Sequence, residues 1–118
     1  MAGLTTHVLD VTRGSPARAM RIELFELAGE GARRLVTTAT TNADGRTDAP
    51  LIAAGDARVG RFELLFHAGD YFRAEGAKLA DPPFLDVVPI RFAVADLAAH
   101  YHVPLIVSPW SYSTYRGS

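Results

Sequence analysis

The stretch that decides the fold is residues 101–118, "YHVPLIVSPWSYSTYRGS". Its first half alternates between two faces of an extended strand, because successive strand side chains point to opposite sides of a sheet. One face is apolar except for a tyrosine hydroxyl and consists of Tyr101, Val103, Leu105 and Val107. The other face mixes a histidine with smaller or apolar residues and consists of His102, Pro104, Ile106 and Ser108. This pattern predicts a strand whose first face lies in a core, followed by a second strand after the break at Ser108-Pro109.

The beginning of the chain shows the same mixed pattern in residues 4–11, "LTTHVLDV". In an extended conformation, one face carries His7, Leu9 and Val11, and the other carries Thr6, Val8 and Asp10. A sheet face that is both apolar and histidine-bearing is poorly suited to water, so we expect another subunit to cover it. The sequence thus indicates an oligomer with ionisable groups at an interface.

Further strand patterns recur at short intervals, at residues 19–27, 33–41, 61–69 and 89–96. Turn residues separate them, including "TRGSPA" at 12–17 and Asp44-Gly45, a dipeptide typical of tight hairpins. Only residues 68–77 have a helical pattern. The sequence predicts an all-β protein, an antiparallel β-sandwich of about eight strands with one short helix.

Composition narrows the class of protein. A chain of 118 residues with 48% hydrophobic content suits a single domain over residues 1–118. Twelve basic residues nearly balance thirteen acidic ones, which argues against binding nucleic acid or an anionic membrane surface. Cysteine is absent, which excludes disulfides and thiolate metal sites, and no segment is typical of secretion or membrane spanning. We therefore expect a cytoplasmic protein acting on a small molecule.

Three segments carry a resemblance to a known family: "THVLDVTRGSPA" at 6–17, "NADGRTD" at 42–48 and "HYHVPLIVSPWSYSTYRGS" at 100–118. Together they resemble the transthyretin-related family, in particular its hydroxyisourate hydrolase branch, which is marked by the ending Tyr115-Arg116-Gly117-Ser118. The resemblance implies a transthyretin-like sandwich that assembles as a homotetramer around a channel. It also implies hydrolytic ring opening of 5-hydroxyisourate to 2-oxo-4-hydroxy-4-carboxy-5-ureidoimidazoline, in urate degradation toward allantoin, without a cofactor or metal.

The resemblance also implies the site residues. The family's catalytic histidines correspond to His7 and His102, its arginine to Arg46, and its terminal motif to Tyr115 through Ser118. Catalytic roles fall to His7, Arg46, His102 and Ser118, where a terminal carboxylate would orient a histidine or the water. Substrate-binding roles fall to Arg46, Ser113, Tyr115, Arg116 and Gly117.

These residue types suit hydrolysis of a cyclic C–N bond. Histidine titrates near neutral pH, so one imidazole can take a proton from water and another can return one. Arginine stays charged and offers a planar fork of donors to a carbonyl oxygen or an anionic ring. The sequence leaves open which histidine is the base.

Other interpretations remain. The same channel suits a carrier that binds a small ligand without catalysis, although such a channel has no need of ionisable groups. A purely structural sandwich is the third class. We interpret Glu23, Glu26 and Glu63 as a solvated sheet face, Tyr112 as packing, and His67 and His100 as structural or surface residues. His100-x-His102 has the spacing of a metal pair, but nearby residues offer no clear third ligand.

Overall fold

The computed structural model describes residues 3–117 and contains, within that range, ten strands and one helix. In chain order these are β1 Leu4–Thr5, β2 Val8–Asp10, β3 Ser15–Pro16, β4 Arg21–Leu27, β5 Arg33–Thr40, β6 Gly60–Phe66, α1 Ala68–Ala74, β7 Val88–Val94, β8 Tyr101–His102, β9 Leu105–Val107 and β10 Tyr112–Thr114. Four strands form one sheet in the order β10-β9-β2-β3, four form a second in the order β5-β4-β6-β7, and β1 and β8 form a two-stranded sheet of their own. The predicted sandwich with one short helix is confirmed.

The two ends of the chain meet in one discontinuous ladder. β1 pairs with β8 in parallel, with Thr5 opposite His102, and β2 pairs with β9 in parallel, with Val8 opposite Leu105. The remaining ladders are antiparallel. Alternation along one strand carries no information about the direction of its neighbour, so the sequence prediction of an antiparallel sandwich missed these parallel pairs. Their consequence is that both predicted histidine strands lie side by side.

The core lies between the two sheets and follows the predicted alternation. From the first sheet it receives Val8, Leu105 and Val107, each fully buried, together with Tyr101 and Val103. Ile22, Leu24 and Leu64 oppose them from the second sheet, also fully buried. The faces that carry His7 and His102 therefore point away from the core.

Helix α1 is fixed to the first sheet by a buried polar contact. The Tyr71 hydroxyl donates to Oδ2 of Asp10 over 2.8 Å, and Oδ1 of Asp10 accepts from the Thr12 amide over 2.9 Å. Burial, together with the Asp10 hydrogen bond, raises the pKa of Tyr71 to about 12. Asp10 is fully buried and each of its oxygens has a partner, which holds the end of β2 next to the helix.

Two sequence predictions are wrong. Glu63 is only 5% exposed, because Arg33 and Arg91 each donate to it over 3.0 Å and cover it with their side chains. Asp44 and Gly45 do form a turn, but it lies in the loop between β5 and β6 rather than in a hairpin of paired strands. Across residues 3–117 there is no helix with the length and apolar character that crossing a membrane requires.

Candidate active site

The outward face of the first sheet carries the predicted histidines. Leu9 of β2 lies opposite Ile106 of β9, which in turn lies opposite Ser113 of β10, so these three side chains form one row across the sheet. His7 precedes the row on the same face of its chain segment, and its carbonyl oxygen accepts from the Leu105 amide over 2.9 Å. Alternation predicted an outward face for each histidine, and the parallel ladder brings these two faces onto one surface.

A turn brings Arg46 to this surface. Oδ1 of Asn42 accepts from the amides of Asp44 and Arg46, and Gly45 has a φ of 75° in the left-handed region that favours glycine. The Val8 amide donates to the Gly45 carbonyl oxygen over 2.8 Å, which joins the turn to β2.

The turn also packs closely against His7. A Cβ atom added to Gly45 would lie 2.4 Å from the Val8 carbonyl oxygen and 3.3 Å from Cδ2 of His7. Only glycine allows the backbone to approach this closely. The turn that carries the exposed Arg46 is therefore held against His7 by close contact with the strand.

His102 is half-buried, and its pKa is lowered. The main cause is burial, followed by the positive charge of Arg46 and then by His7 and His100. Arg46 and His7 are thus close enough for their charge to affect the His102 ring. The arrangement keeps the imidazole of His102 neutral, with a lone pair available, in the pH range where an ordinary histidine takes up a proton.

Thr5 and His100 complete the surroundings of His102, and the sequence prediction included neither in the site. Oγ1 of Thr5 lies 2.8 Å from Nδ1 of His102 and 2.9 Å from Nε2 of His100. His100 was interpreted as a structural or surface residue. The signal that could have indicated it is the spacing His100-x-His102, which puts both rings on one side of the strand. In the described part of the chain, no group of three metal-ligating side chains is present.

Gly117 of the terminal motif contacts His102 directly. Its amide donates to the His102 carbonyl oxygen over 2.8 Å, and a Cβ atom at this position would lie 2.5 Å from Cδ2 of the His102 ring. The glycine therefore packs directly against the imidazole and restricts the position of the His102 ring. Ser118, the predicted catalytic terminus, lies outside the described residues.

The other motif residues lie on the opposite side of β8. The guanidinium of Arg116 is 4.2 Å from the centre of the Tyr101 ring, and Nη2 of Arg116 donates to the His100 carbonyl oxygen over 3.5 Å. Tyr115 and Arg116 line a cavity of about 390 Å³ together with Tyr101 and Val103, which belong to the core face. Their roles as substrate contacts stay predictions.

Comparison with known proteins shows which family this chain resembles. A sequence model of the HIUase/Transthyretin family matches residues 4–117. The 5-hydroxyisourate hydrolase of Deinococcus radiodurans is 60% identical, over 98% of this chain and 96% of that protein. The crystal structure of (S)-allantoin synthase has a TM-score of 0.91 and 45% identity, covering 99% of this chain but only 44% of that one. Sea bream transthyretin in complex with thyroxine has a TM-score of 0.86 and 25% identity, over 98% of this chain and 94% of that one.

Proposed function

Since the chain belongs to the HIUase/Transthyretin family, we propose that it is a 5-hydroxyisourate hydrolase acting in urate degradation. The observation that carries this proposal is the grouping of His7, Arg46 and His102 on one outward surface. A surface that only binds a hydrophobic ligand has no use for two imidazoles and a guanidinium, whereas hydrolysis needs groups that move protons and stabilise charge.

Hydrolysis begins with activation of water. His102 can act as the base, because burial and the neighbouring positive charges lower its pKa and keep its ring neutral and able to accept a proton. The ring takes a proton from water, and the resulting hydroxide adds to the carbonyl carbon of the substrate's ring. Arg46 stays protonated and donates to the oxygen on which negative charge develops.

Ring opening then breaks the C–N bond and leaves an electron pair on nitrogen. This nitrogen needs a proton, and His7 lies on the same surface to deliver it. Gly117 supports the reaction indirectly by fixing the position of the His102 ring. No step in this sequence requires a metal or cofactor.

We also propose a homotetramer in which a second dimer covers the histidine-bearing face. Large apolar side chains are exposed on or near this sheet in the single chain, with Val11 at 53% and Trp110 at 66%. Such exposure is costly in water and favours burial between subunits. The cysteine-free sequence is compatible with the cytoplasm, which we keep as the proposed location.

A carrier is the second candidate, because sea bream transthyretin in complex with thyroxine shares the fold. The two functions make different predictions for substrate decay. A hydrolase accelerates the decay of 5-hydroxyisourate, whereas a carrier leaves the spontaneous rate unchanged or slows it.

The test uses 5-hydroxyisourate freshly generated by urate oxidase and follows its ultraviolet absorbance. We expect rapid decay with the wild-type protein, with or without a chelator, and near-spontaneous decay with His102→Gln. The matched control is His67→Gln, since His67 is also half-buried but contacts Glu23 on the other sheet. Equal rates for His102→Gln and His67→Gln would refute the assignment of His102.

A further inference from the structure

Three polar side chains form a short chain of hydrogen bonds beside the proposed catalytic surface. Oγ1 of Thr5 is 2.9 Å from Nε2 of His100 and 2.8 Å from Nδ1 of His102. The parallel pairing of β1 with β8 creates this contact, because Thr5 lies directly opposite His102. His100 reaches the same hydroxyl since it is two residues from His102, on the same side of the strand.

A threonine hydroxyl has one proton to donate and lone pairs to accept with. It can donate to one of the two imidazoles while accepting from the other. It can also accept from both, but it cannot donate to both. The protonation of His102 at Nδ1 is therefore linked to the protonation of His100 at Nε2 through a single oxygen atom.

We propose that Thr5 and His100 are positioning residues that keep the Nδ1 proton on His102 and accept it when Nε2 receives a proton from water. The catalytic part of this inference rests on the proposed function. In the resting state Nδ1–H of His102 donates to Thr5, and the Thr5 hydroxyl donates to Nε2 of His100. This leaves Nε2 of His102 with the lone pair that a base requires.

The proton transfer balances along the chain. A water O–H bond breaks and an Nε2–H bond forms on His102, while Nδ1–H of His102 breaks and its proton passes to the Thr5 oxygen. The original Thr5 proton passes to Nε2 of His100. His100 is exposed in the chain, so it can exchange its proton with solvent.

The charges around His102 explain why a hydroxyl suits this position. The charges of Arg46, His7 and His100 lower the pKa of its ring, and a hydrogen bond with Thr5 raises it by less. A ring surrounded by positive charge is poorly suited to becoming imidazolium. By releasing a proton at one nitrogen as it gains one at the other, His102 avoids holding a full positive charge.

The test measures the tautomer of His102 directly, by ¹⁵N-resolved NMR of the histidine rings. For the wild type and for Thr5→Ser, which keeps the hydroxyl, we expect the Nδ1–H form. For Thr5→Val, which keeps the shape and removes the hydroxyl, we expect a mixture of the two tautomers. An Nε2–H form in the wild type, or an unchanged tautomer in Thr5→Val, would overturn the proposal.

Kinetics with His100→Gln separate positioning from proton transfer. A glutamine side chain can accept the Thr5 hydrogen bond but cannot take up a proton, so the His102 tautomer should persist while kcat falls and KM stays unchanged. We expect kcat to fall about tenfold or more, the size of effect that loss of an outer partner of a functional histidine has on activity. Unchanged kcat would refute the proton-accepting role.

Because His100 is exposed, this variant should fold even if Thr5→Val does not. The NMR result holds whether or not 5-hydroxyisourate is the substrate, so the two proposals fail separately.

Discussion

Replacing Gly117 with alanine tests whether the terminal motif fixes the position of His102. The added Cβ atom would lie 2.5 Å from Cδ2 and 3.2 Å from Cγ of the His102 ring. Carbon atoms normally pack about 3.5–4.0 Å apart, so the ring or the chain end must move by about 1 Å. A displacement of about 1 Å in a catalytic group can lower the rate about 100-fold, which corresponds to about 2.7 kcal/mol in the activation barrier.

The same substitution should affect stability little. Gly117 does not lie in the left-handed region of backbone conformations, so alanine adds no backbone strain. Its contacts come at the end of the described chain, where small movements disturb little else. We therefore expect kcat/KM for 5-hydroxyisourate to fall about 100-fold, while the urea-induced unfolding transition, followed by circular dichroism, stays close to that of the wild type.

Gly76→Ala is the matched control. Gly76 has a φ of 86°, and nothing would lie within 4 Å of an added Cβ atom. Alanine should cost about 1–2 kcal/mol of stability there through backbone strain, with activity retained. Gly117→Ala should thus lower activity and keep stability, whereas Gly76→Ala should lower stability and keep activity. If Gly117→Ala retains wild-type kcat/KM, the contact with His102 does not position the ring and the reasoning is wrong.

Three further predictions concern the turn, the proposed base and the core. Gly45→Ala should lower both stability and kcat/KM, as measured by unfolding and substrate-decay assays. Gly45 has a φ of 75°, and the added Cβ atom would lie 2.4 Å from the Val8 carbonyl oxygen, so the turn that carries Arg46 must move away from the sheet. Arg46→Lys should lower kcat/KM because it loses the planar fork of donors, but the acid limb of the pH profile should stay below the ordinary histidine value of about 6.5, because the charge that lowers the pKa of His102 is kept. Arg46→Gln removes this charge and should shift the acid limb to higher pH. Tyr71→Phe should destabilise the protein by about 1–3 kcal/mol at neutral pH by leaving Oδ2 of the buried Asp10 without its partner. Because the pKa of Tyr71 is raised from 10 to about 12, its stabilising effect is present below pH 10 and lost as the pH rises toward 12, so denaturation curves of the two proteins should converge over that range.

Local sequence predicted the face of the sheet on which the candidate site residues lie. Alternation assigned His7 and His102 to outward faces and Tyr101, Leu105 and Val107 to the core, because a strand's period of two is a local property of the backbone. Glu63 shows where this reasoning fails. The rule that charged strand residues face water is a statement about one strand, and it does not foresee that arginines from two neighbouring strands cover the carboxylate.

The sequence by itself determined the sandwich and the outward faces of the two histidines, and only the family resemblance pointed to Arg46 as their partner. Only the tertiary structure decided which side chains touch. The Thr5 hydroxyl meets His102 across 97 positions of the chain because β1 and β8 pair in parallel, and Gly117 lies against the same ring through an antiparallel bridge to His102. The contact of Gly45 with β2 also joins distant segments of the chain and could not be read from local sequence. The physical reason is that periodicity fixes the face on which a side chain lies, whereas contact between distant segments depends on strand direction, register and close backbone approach.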